Sequence, residues 1–378
     1  MKKINLLLIL CLPFSLYAQT KFNSTAYASV QLPSDARTTA LANGGTALDC
    51  DLSAINTNPA RLSLLNVQHS VAFDYFNMPS ISKDAKKVAI KYAFVNGERS
   101  TFGVGINYYS TGAITLRDEF GADISTIKSA EYSVSLSYAT QISNNSHLGA
   151  TFRFLNQNKL VDTDGNATRN GNAAIGIDVG FIHNFELDED YKKIRLGIAL
   201  QNLGTKLGGT LYQPMNLSLS TIYSNGYYDN DEKFSHDFAF LIGLQVDKPL
   251  VPSLPVIDSL GKILKGKDFN RGIINCIFST WNDAPGGAWE NMKQLRYSLF
   301  SEVVLQRNLS LRGGFAYEDA AYGSRTFFSL GAGIKWNYQE SDYQINLAYL
   351  VPQGANAGVS PLKNTISLQF AFQFGRKS

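Results

Sequence analysis

The stretch "NTISLQFAFQF" at residues 364–374, close to the end of the chain, decides the fold. Large apolar side chains alternate with small or polar ones along all of it, at Ile366, Leu368, Phe370, Phe372 and Phe374. Because the side chains of a β-strand point alternately to its two faces, this segment has one apolar and one polar face. Such a strand fits the wall of a membrane barrel and also a soluble β-sandwich, so the rest of the chain has to distinguish the two.

The same alternation recurs along the chain, as in "VAIKYAF" (88–94) and "YSVSLSY" (132–138). About fourteen such segments can be read, and bacterial single-chain barrels have an even number of strands. Their approximate positions are 71–75, 88–94, 102–108, 132–138, 147–156, 173–183, 194–202, 215–224, 236–247, 295–305, 308–317, 325–336, 342–351 and 365–374. We expect the last of them to close the barrel against the first strand, near residues 67–77.

The charged residues inside these segments lie on the polar face. They are Asp74, Lys91, Arg153, Asp178, Arg195, Glu302, Arg312 and Lys335. A charge facing lipid at the bilayer midplane costs about 2–4 kcal/mol, whereas one facing a wet lumen costs little. A closed barrel also removes the sheet edges that a sandwich of so many strands would have to cover. The sequence therefore predicts an all-β, transmembrane antiparallel barrel of about 14 strands. We expect arginine to be tolerated at Gln369, on the lumen face, but not at Phe370.

The N-terminus predicts export and a non-barrel segment. "MKKINLLLILCLPFSLYAQT" (1–20) has two lysines, a short apolar run and Ala18, which is typical of a secretory signal peptide covering residues 1–18. Residues 19–66 do not alternate, and apolar side chains such as Leu41, Leu48 and Leu62 give this part something to bury. We expect 19–66 to form a plug segment, either inside the lumen or across its periplasmic mouth. Residues 67–378 would form the barrel.

The connections indicate the orientation of the barrel and its membrane. If the chain ends on the periplasmic side, short turns such as 143–146 and Gln306–Arg307 face the periplasm. The longer connections then face outward, at 110–130, 157–171, 203–214, 248–294 and 352–364. Long outer loops and short periplasmic turns are the pattern of the bacterial outer membrane. The expected location is therefore the cell outer membrane, in contact with its lipid.

Composition and motifs argue against several classes of function. A net charge of +3 does not suit an electrostatic nucleic-acid binder, and 23 Phe, 19 Tyr and 31 Gly suit β structure. The four histidines are far apart, and no metal, nucleotide or nucleophile motif is present. We expect no catalytic residue, metal, cofactor or nucleic-acid partner. Apart from Cys11 in the signal peptide, the cysteines are Cys50 and Cys276, whose pairing the sequence leaves open.

The long connection 248–294 carries the candidate binding residues. Ile257, Leu260, Ile263 and Leu264 are spaced for one face of a short helix. Two tryptophans flank a Pro-Gly-Gly turn, and such rings on an outer loop expose an apolar patch unless something covers them. We expect a protein-docking patch formed or shaped by Trp281, Asp283, Pro285, Gly286, Gly287 and Trp289. The alternative is that both rings pack back on the barrel mouth.

Five stretches carry a resemblance to known families. "SDARTTALANGGTALDCDLSAINTNPARL" (34–62), with Asn58-Pro59-Ala60 as its plug motif, resembles the N-terminal segment of the FadL family. The remaining four resemble the PorV family of the type IX secretion system. These are "LVPSLP" (250–255), "DAPGG" (283–287), "FAYEDAAYGSRTFFSLGAGIKW" (315–336) and "LAYLVPQGANAGVSPLKNTISLQFAF" (347–372). The resemblance spans nearly the whole mature chain. Asn43-Gly44 stands where many FadL relatives carry Met-Gly, so this part of the match is loose.

The resemblance implies a fourteen-stranded FadL-like barrel that performs no chemistry. Members of the PorV family are described as binding secreted cargo through its C-terminal signal domain. They take the cargo from the large translocon barrel to a PorU-containing attachment complex at the cell surface. A FadL-type channel for hydrophobic small molecules is the alternative function, favoured by an open lumen with a lateral gap. An envelope enzyme acting on lipopolysaccharide is a third, which the lack of a convergent catalytic set disfavours.

Overall fold

The computed structural model describes residues 25–376 except 34, 119, 162–167, 171–172, 188–191, 210, 227–237, 324 and 355–356. The predicted signal peptide, 1–18, lies outside this part. The strands are β1 (Val67–Asn77), β2 (Lys86–Asn96), β3 (Ser100–Arg117), β4 (Asp123–Ser143), β5 (Ser146–Gln157), β6 (Lys159–Val161), β7 (Thr168–Asn170), β8 (Ala173–Glu186), β9 (Lys192–Gly204), β10 (Asn216–Asn225), β11 (Phe238–Pro249), β12 (Val256–Ile257), β13 (Ile263–Lys265), β14 (Arg296–Leu305), β15 (Leu309–Tyr317), β16 (Phe327–Tyr338), β17 (Ser341–Pro352) and β18 (Ile366–Arg376).

Fourteen of these strands form one closed antiparallel barrel, so the predicted fold class is confirmed. The strands β6–β7 and β12–β13 form two small hairpins outside it. The terminal strand β18 pairs with β1, with Phe370 opposite Phe73 and Gln369 opposite Asp74. The predicted closure by the last strand is therefore confirmed. Among the described helices, none is long and apolar enough to cross a membrane.

The two faces of the wall separate as the alternation predicts. On β18, Leu368 and Phe370 are about 40 % exposed, whereas Ser367 and Gln369 between them are buried. Aromatic rings stack between neighbouring strands near both ends, as in Trp336–Tyr343, with ring centroids 5.6 Å apart, and Tyr108–Tyr132, 5.0 Å apart. Such rings form the girdles at the two membrane interfaces. The outward face is thus an apolar band bounded by aromatic side chains.

Connections of very different length join the strands at the two ends of the barrel. At the "turn end", which carries residue 376, strands meet through short turns such as 144–145 and 339–340. The "loop end" carries the long connections, including 250–295. The expected loop 110–130 was wrong in extent, because β3 and β4 continue to Arg117 and from Asp123 as a paired hairpin. The pairing of β3 with β4 has a register shift at Ser110/Ala113 and continues beyond Ser110, the residue of β3 that is opposite Lys86 at the start of β2.

The N-terminal segment, residues 25–66, runs through the lumen from the loop end to the turn end. At the loop end, Lys87 Nζ donates to the carbonyl oxygens of Ser29, Leu32 and Pro33 at 3.1–3.3 Å. The described helical turns of the segment are Ala28–Gln31, α1 (Ala36–Ala40), Leu52–Ile55 and Pro59–Leu64. Asp35 caps α1, because its carboxylate accepts a hydrogen bond from the Thr38 backbone N–H at 2.9 Å.

The motif Asn58-Pro59-Ala60 lies directly against the wall. Asn58 Oδ1 accepts from the Ala60 backbone N–H at 3.1 Å and caps the helical turn that follows. Its Nδ2 donates to the Phe181 carbonyl of β8 at 3.2 Å. A side chain at Gly180 would collide with Asn58, and one at Gly149 with the backbone of Pro59 and Ala60. Glycine on β5 and β8 therefore permits this close approach.

Candidate functional site: a filled lumen and an apolar outer surface

A network of ion pairs connects the N-terminal segment to the barrel wall. From α1, Arg37 pairs with Glu302 of β14 at 2.7 Å and with Asp49 and Asp51 at 2.6 and 3.1 Å. The other carboxylate oxygen of Glu302 accepts from Arg312 Nε of β15 at 2.7 Å. Arg37, Glu302 and Arg312 are all buried. Because breaking a buried pair leaves an uncompensated charge, this network holds the segment in the lumen.

The network continues across the seam where the barrel closes. Arg312 donates to Asn346 at 2.7 Å, and Asn346 donates to Gln369 of β18 at 2.7 Å. Gln369 donates to Asp74 of β1 at 2.9 Å, and Asp74 pairs with Lys91 at 2.8 Å. Gln369 is thus held on both sides. Its tolerance of arginine, expected from the alternation alone, has to be revised, since a larger charged side chain would break the seam contacts.

The lumen wall is polar and tightly braced near the one irregular pairing of β8 with β9. The register shifts between Ile177 and Val179, and the carboxylate of Asp178 accepts from the Asn202 backbone N–H at 2.6 Å. Arg153 pairs with the same carboxylate at 2.6 Å. These contacts close the wall where its ladder is interrupted. The cavities described at the loop end measure only about 50–90 Å³.

The outer connection begins with a hairpin rather than the predicted helix. Ile257 pairs with Ile263 across β12–β13, so the helical interpretation of Ile257, Leu260, Ile263 and Leu264 was wrong. The reason is turn chemistry. The Asp258 carboxylate accepts from the backbone N–H groups of Leu260 and Lys262 at 2.9 and 2.8 Å, and Gly261 has a φ of +80°.

Two short helices, α2 (Ile273–Ser279) and α3 (Ala288–Lys293), follow the hairpin. Asp283 between them is 1 % exposed and accepts from the backbone N–H and the hydroxyl of Ser253 at 3.0 and 2.8 Å. Arg271 lies 3.4 Å from the same carboxylate. Asp283 thus fixes the second half of the connection to its beginning and is not available to a partner.

A second set of contacts fixes α3 to the neighbouring connection. Glu290 accepts from the Gly286 backbone N–H and, at 2.7 Å, from the hydroxyl of Tyr322 in the β15–β16 connection. That connection is held in turn by Arg325, which donates to both carboxylate oxygens of Glu318 at 2.8 Å. Burial would raise the pKa of Glu318, but the Arg325 guanidinium outweighs it and keeps that pKa below its usual range.

The buried frame presents large apolar side chains to the outside. Phe278 and Trp289 are each 74 % exposed, and Trp281 is 50 % exposed. We call the following set the outer apolar surface: Ile274, Phe278, Trp281, Trp289 and Met292. Ile274 and Phe278 lie on α2, Trp289 and Met292 lie on α3, and Trp281 lies between the two helices, so one connection exposes five large apolar side chains.

The six residues chosen from the sequence play different parts in this arrangement. Trp281 and Trp289 are exposed, Asp283 is buried, and Gly287, with a φ of +75°, begins α3. The exposure of both rings disfavours the view that they merely pack on the barrel mouth. Sequence reasoning missed Ile274, Phe278 and Met292. The i, i+4 spacing of the first two in "INCIF" (274–278) was the available signal for a shared helical face.

Cys50 and Cys276, the two cysteines in the described part of the chain, are free thiols. Cys50 lines a cavity at the turn end, whereas Cys276 is the buried residue of α2 at the loop end and packs with Tyr212 and Leu250. Burial raises the pKa of the Cys276 thiol. The thiol therefore acts here as a small apolar side chain.

Comparison with known proteins agrees with this architecture. Among solved structures, the CymD monoaromatic hydrocarbon channel is 15 % identical with a TM-score of 0.53, over 91 % of this chain and 98 % of that chain. The Ralstonia pickettii toluene transporter TbuX is 13 % identical with a TM-score of 0.50, over 90 % of this chain and 98 % of that chain. At such identities the likeness concerns the fold alone. No curated protein matches the chain.

The family of the chain follows from its sequence. The family model described as type IX secretion system protein PorV matches residues 17–255, which is more than half of the chain. The fold, a closed barrel with an apolar outer band, is that of an outer-membrane protein. The chain therefore belongs to the PorV family and is an outer-membrane component of the type IX secretion system.

Proposed function

We propose that this protein binds the C-terminal signal domain of secreted cargo on its outer apolar surface. In this proposal it receives the cargo from the large translocon barrel and delivers it to the PorU-containing attachment complex. Residues 25–66 serve as a plug, with Asn58-Pro59-Ala60 docking it against the wall. Trp281 and Trp289 make the contact, while Asp283, Pro285, Gly286 and Gly287 hold the two rings in place.

The exposure of apolar rings on a polar, buried frame is the observation that carries the proposal. Interface hot spots are enriched in tryptophan, and they depend on fixed side chains that a partner can desolvate without further ordering cost. Asp283 and Glu290, both nearly fully buried, supply that rigidity through the contacts with Ser253, Gly286 and Tyr322. A surface arranged in this way suits a protein partner.

The alternative is a channel for hydrophobic small molecules, as are the CymD monoaromatic hydrocarbon channel and the toluene transporter TbuX. Such a function needs an apolar path through the lumen. Here, Arg37, Glu302 and Arg153 are buried in the lumen, and each is already ion-paired. Moving an apolar ligand past these groups would cost the solvation or pairing of each charge. The lumen therefore favours a closed barrel that works through its outer surface.

The test is co-purification from outer membrane solubilised in a mild detergent. We expect an affinity-tagged chain to retain a very large barrel and cargo that carries the C-terminal signal domain. A matched preparation of the Trp281→Ala, Trp289→Ala variant should retain much less cargo. Recovery of the tagged chain without cargo and without the large barrel, under conditions in which it stays folded, would contradict the proposal.

A further inference from the structure

The turn end of the lumen opens into a polar cavity of about 480 Å³, which we call the vestibule. It lies on the opposite side of the membrane from the outer apolar surface, since short turns face the periplasm in outer-membrane barrels. Its volume falls within the range of about 300–1,000 Å³ that is usual for ligand sites. No part of the proposed docking function uses it.

Arginines outnumber carboxylates at the inner end of the vestibule, within the described residues. Arg37, Arg195 and Arg312 line its inner end, and a fourth arginine, Arg61, is buried behind them and pairs with Asp51. They meet three carboxylates, namely Asp49, Asp51 and Glu302. Further out, Lys335 pairs with Asp342 at 2.7 Å, and Glu186 lies opposite Lys193 in the β8–β9 register. Four positive and three negative charges leave an excess of one positive charge in the described part of the site.

Arg195 is the residue without a carboxylate. It is 9 % exposed, and its Nε donates to Asn184 Oδ1 at 2.7 Å, which fixes the plane of the guanidinium. Asp49 is close enough to act on it electrostatically, but Asp49 is within ion-pair distance of Arg37 instead, at 2.6 Å. Within the described residues, the two terminal nitrogens of Arg195 have no protein acceptor, and the residue lines the vestibule. A buried cation that shares its nearest carboxylate with another arginine carries a desolvation cost that a bound anion would offset.

From this geometry we propose that the vestibule binds a carboxylate on the fork of Arg195. The planar guanidinium presents two parallel N–H donors that match a carboxylate bidentately. The carboxylates already in the walls, including Asp49 and Glu186, would repel a phosphate dianion more than a monoanion, and the excess charge is one. The carboxylate comes either from a polypeptide that enters from the periplasm or from a small free acid. The proposal is independent of cargo docking.

The experiment uses the full chain in detergent micelles at low ionic strength. The probe is a Gly-Ser-Gly-Ser peptide whose N-terminal amine carries an uncharged fluorophore. Its C-terminus is either a free carboxylate or an amide, and binding is followed by fluorescence anisotropy. We expect the free acid to bind at least tenfold more tightly than the amide. Arg195→Gln should abolish this preference. Lys335→Gln, which removes the same charge from an existing ion pair in the same cavity, should retain it within about threefold.

Two controls keep the outcome decisive. Heat-modifiable electrophoretic mobility checks that each variant is folded. If Arg195→Gln does not fold, Arg195→Lys takes its place; it keeps the charge but not the fork, and it should bind the free acid with intermediate affinity. Competition with sodium acetate separates the two sources. If acetate displaces the probe as effectively as the unlabelled peptide acid does, the natural ligand is a small free acid. If acetate does not displace the probe, the ligand is a polypeptide. Equal binding of acid and amide to the wild type, or an acid preference that persists without Arg195, overturns the proposal.

Discussion

The lumen of this barrel buries charged side chains, whereas its outer apolar surface exposes large apolar ones. In the lumen, Arg37 and Glu302 are 5 % and 1 % exposed and are bound to each other, whereas on the outer surface Phe278 and Trp289 are 74 % exposed. Burying charge is costly unless every charge is paired, and exposing large apolar groups is costly unless a partner covers them. In the described part of the lumen, Arg37, Glu302, Arg312 and Arg153 all have ion-pair partners within the chain, whereas no other described part of the chain buries the rings of the outer surface. This difference is the reason for proposing that the working contacts lie outside the barrel.

The largest expected effect comes from removing Arg37. Arg37→Ala leaves Asp49 without its partner and frees the N-terminal segment from β14, so we expect a loss of about 3–5 kcal/mol of barrel stability. The measurement is the temperature at which heat-modifiable mobility is lost. The matched control is Arg117→Ala, which breaks a pair whose side chains are 66 % and 65 % exposed and should cost less than about 1 kcal/mol. Equal shifts for the two variants would show that the lumen network does not hold the segment.

The next effect concerns the two faces of the wall. Phe370→Arg places a charge on the lipid face and should cost about 2–4 kcal/mol, seen as a reduced level of assembled protein in the outer membrane. Gln373→Arg on the same strand is the better lumen-side control, because Gln373 lines the vestibule and Gln369 is committed to the seam. Assembly of both variants at the wild-type level would disprove the assignment of faces.

A smaller effect is expected from the frame of the outer surface. Asp283→Asn keeps the shape but removes a charge that accepts two hydrogen bonds from Ser253, at a cost of about 1.5–3 kcal/mol. Limited proteolysis should then cleave 250–295 faster while the barrel stays folded. Asp268→Asn, an exposed residue of the same connection, should leave the cleavage rate unchanged. If the Asp283 variant resists protease like the wild type, the frame does not depend on this carboxylate.

The smallest effect is pH-dependent and concerns Glu318. Because the pKa of Glu318 is lowered by Arg325, the contact stabilises the fold above the unfolded-state pKa of glutamate, about 4.3, and is lost as pH falls through the folded-state value. At pH 5–7 we expect the free energy of unfolding of the wild type to exceed that of Glu318→Gln by about 1 kcal/mol. The value is small because Arg325 is partly exposed and screened by solvent. The difference in melting temperature should vanish at lower pH. A difference that grows on acidification would contradict the sign.

The wall could be predicted from the sequence because its signal is local. Residues two apart on a strand share a face whatever the neighbouring strands are, so the lipid face at Phe370 and the lumen face at Asp74 both follow from alternation. Spacing was ambiguous for Ile257–Leu264, where three- and four-residue intervals fit a helix and a hairpin alike. The Asp258–Gly261 turn decided between them. The seam role of Gln369 depends on Asn346 and Asp74, which are distant in sequence, and no local pattern contains it.

The candidate surface was predictable only in part. The two tryptophans and the turn between them are visible in the sequence, because the whole chain has only 3 Trp and two of them lie in this one connection. The burial of Asp283 is not visible, because it depends on Ser253, thirty residues earlier in the chain. The contribution of Phe278 and Met292 requires the orientation of two short helices, which the frame of tertiary contacts sets.

The central claim is that the outer apolar surface binds cargo and does not brace the barrel. The direct test is the Trp281→Ala, Trp289→Ala double variant, with cargo secretion and heat-modifiable barrel mobility measured on the same cells. Both rings are at least half exposed, so the account predicts normal mobility and a strong loss of secretion. A barrel that melts early would support bracing. A folded barrel with normal secretion would contradict the account outright.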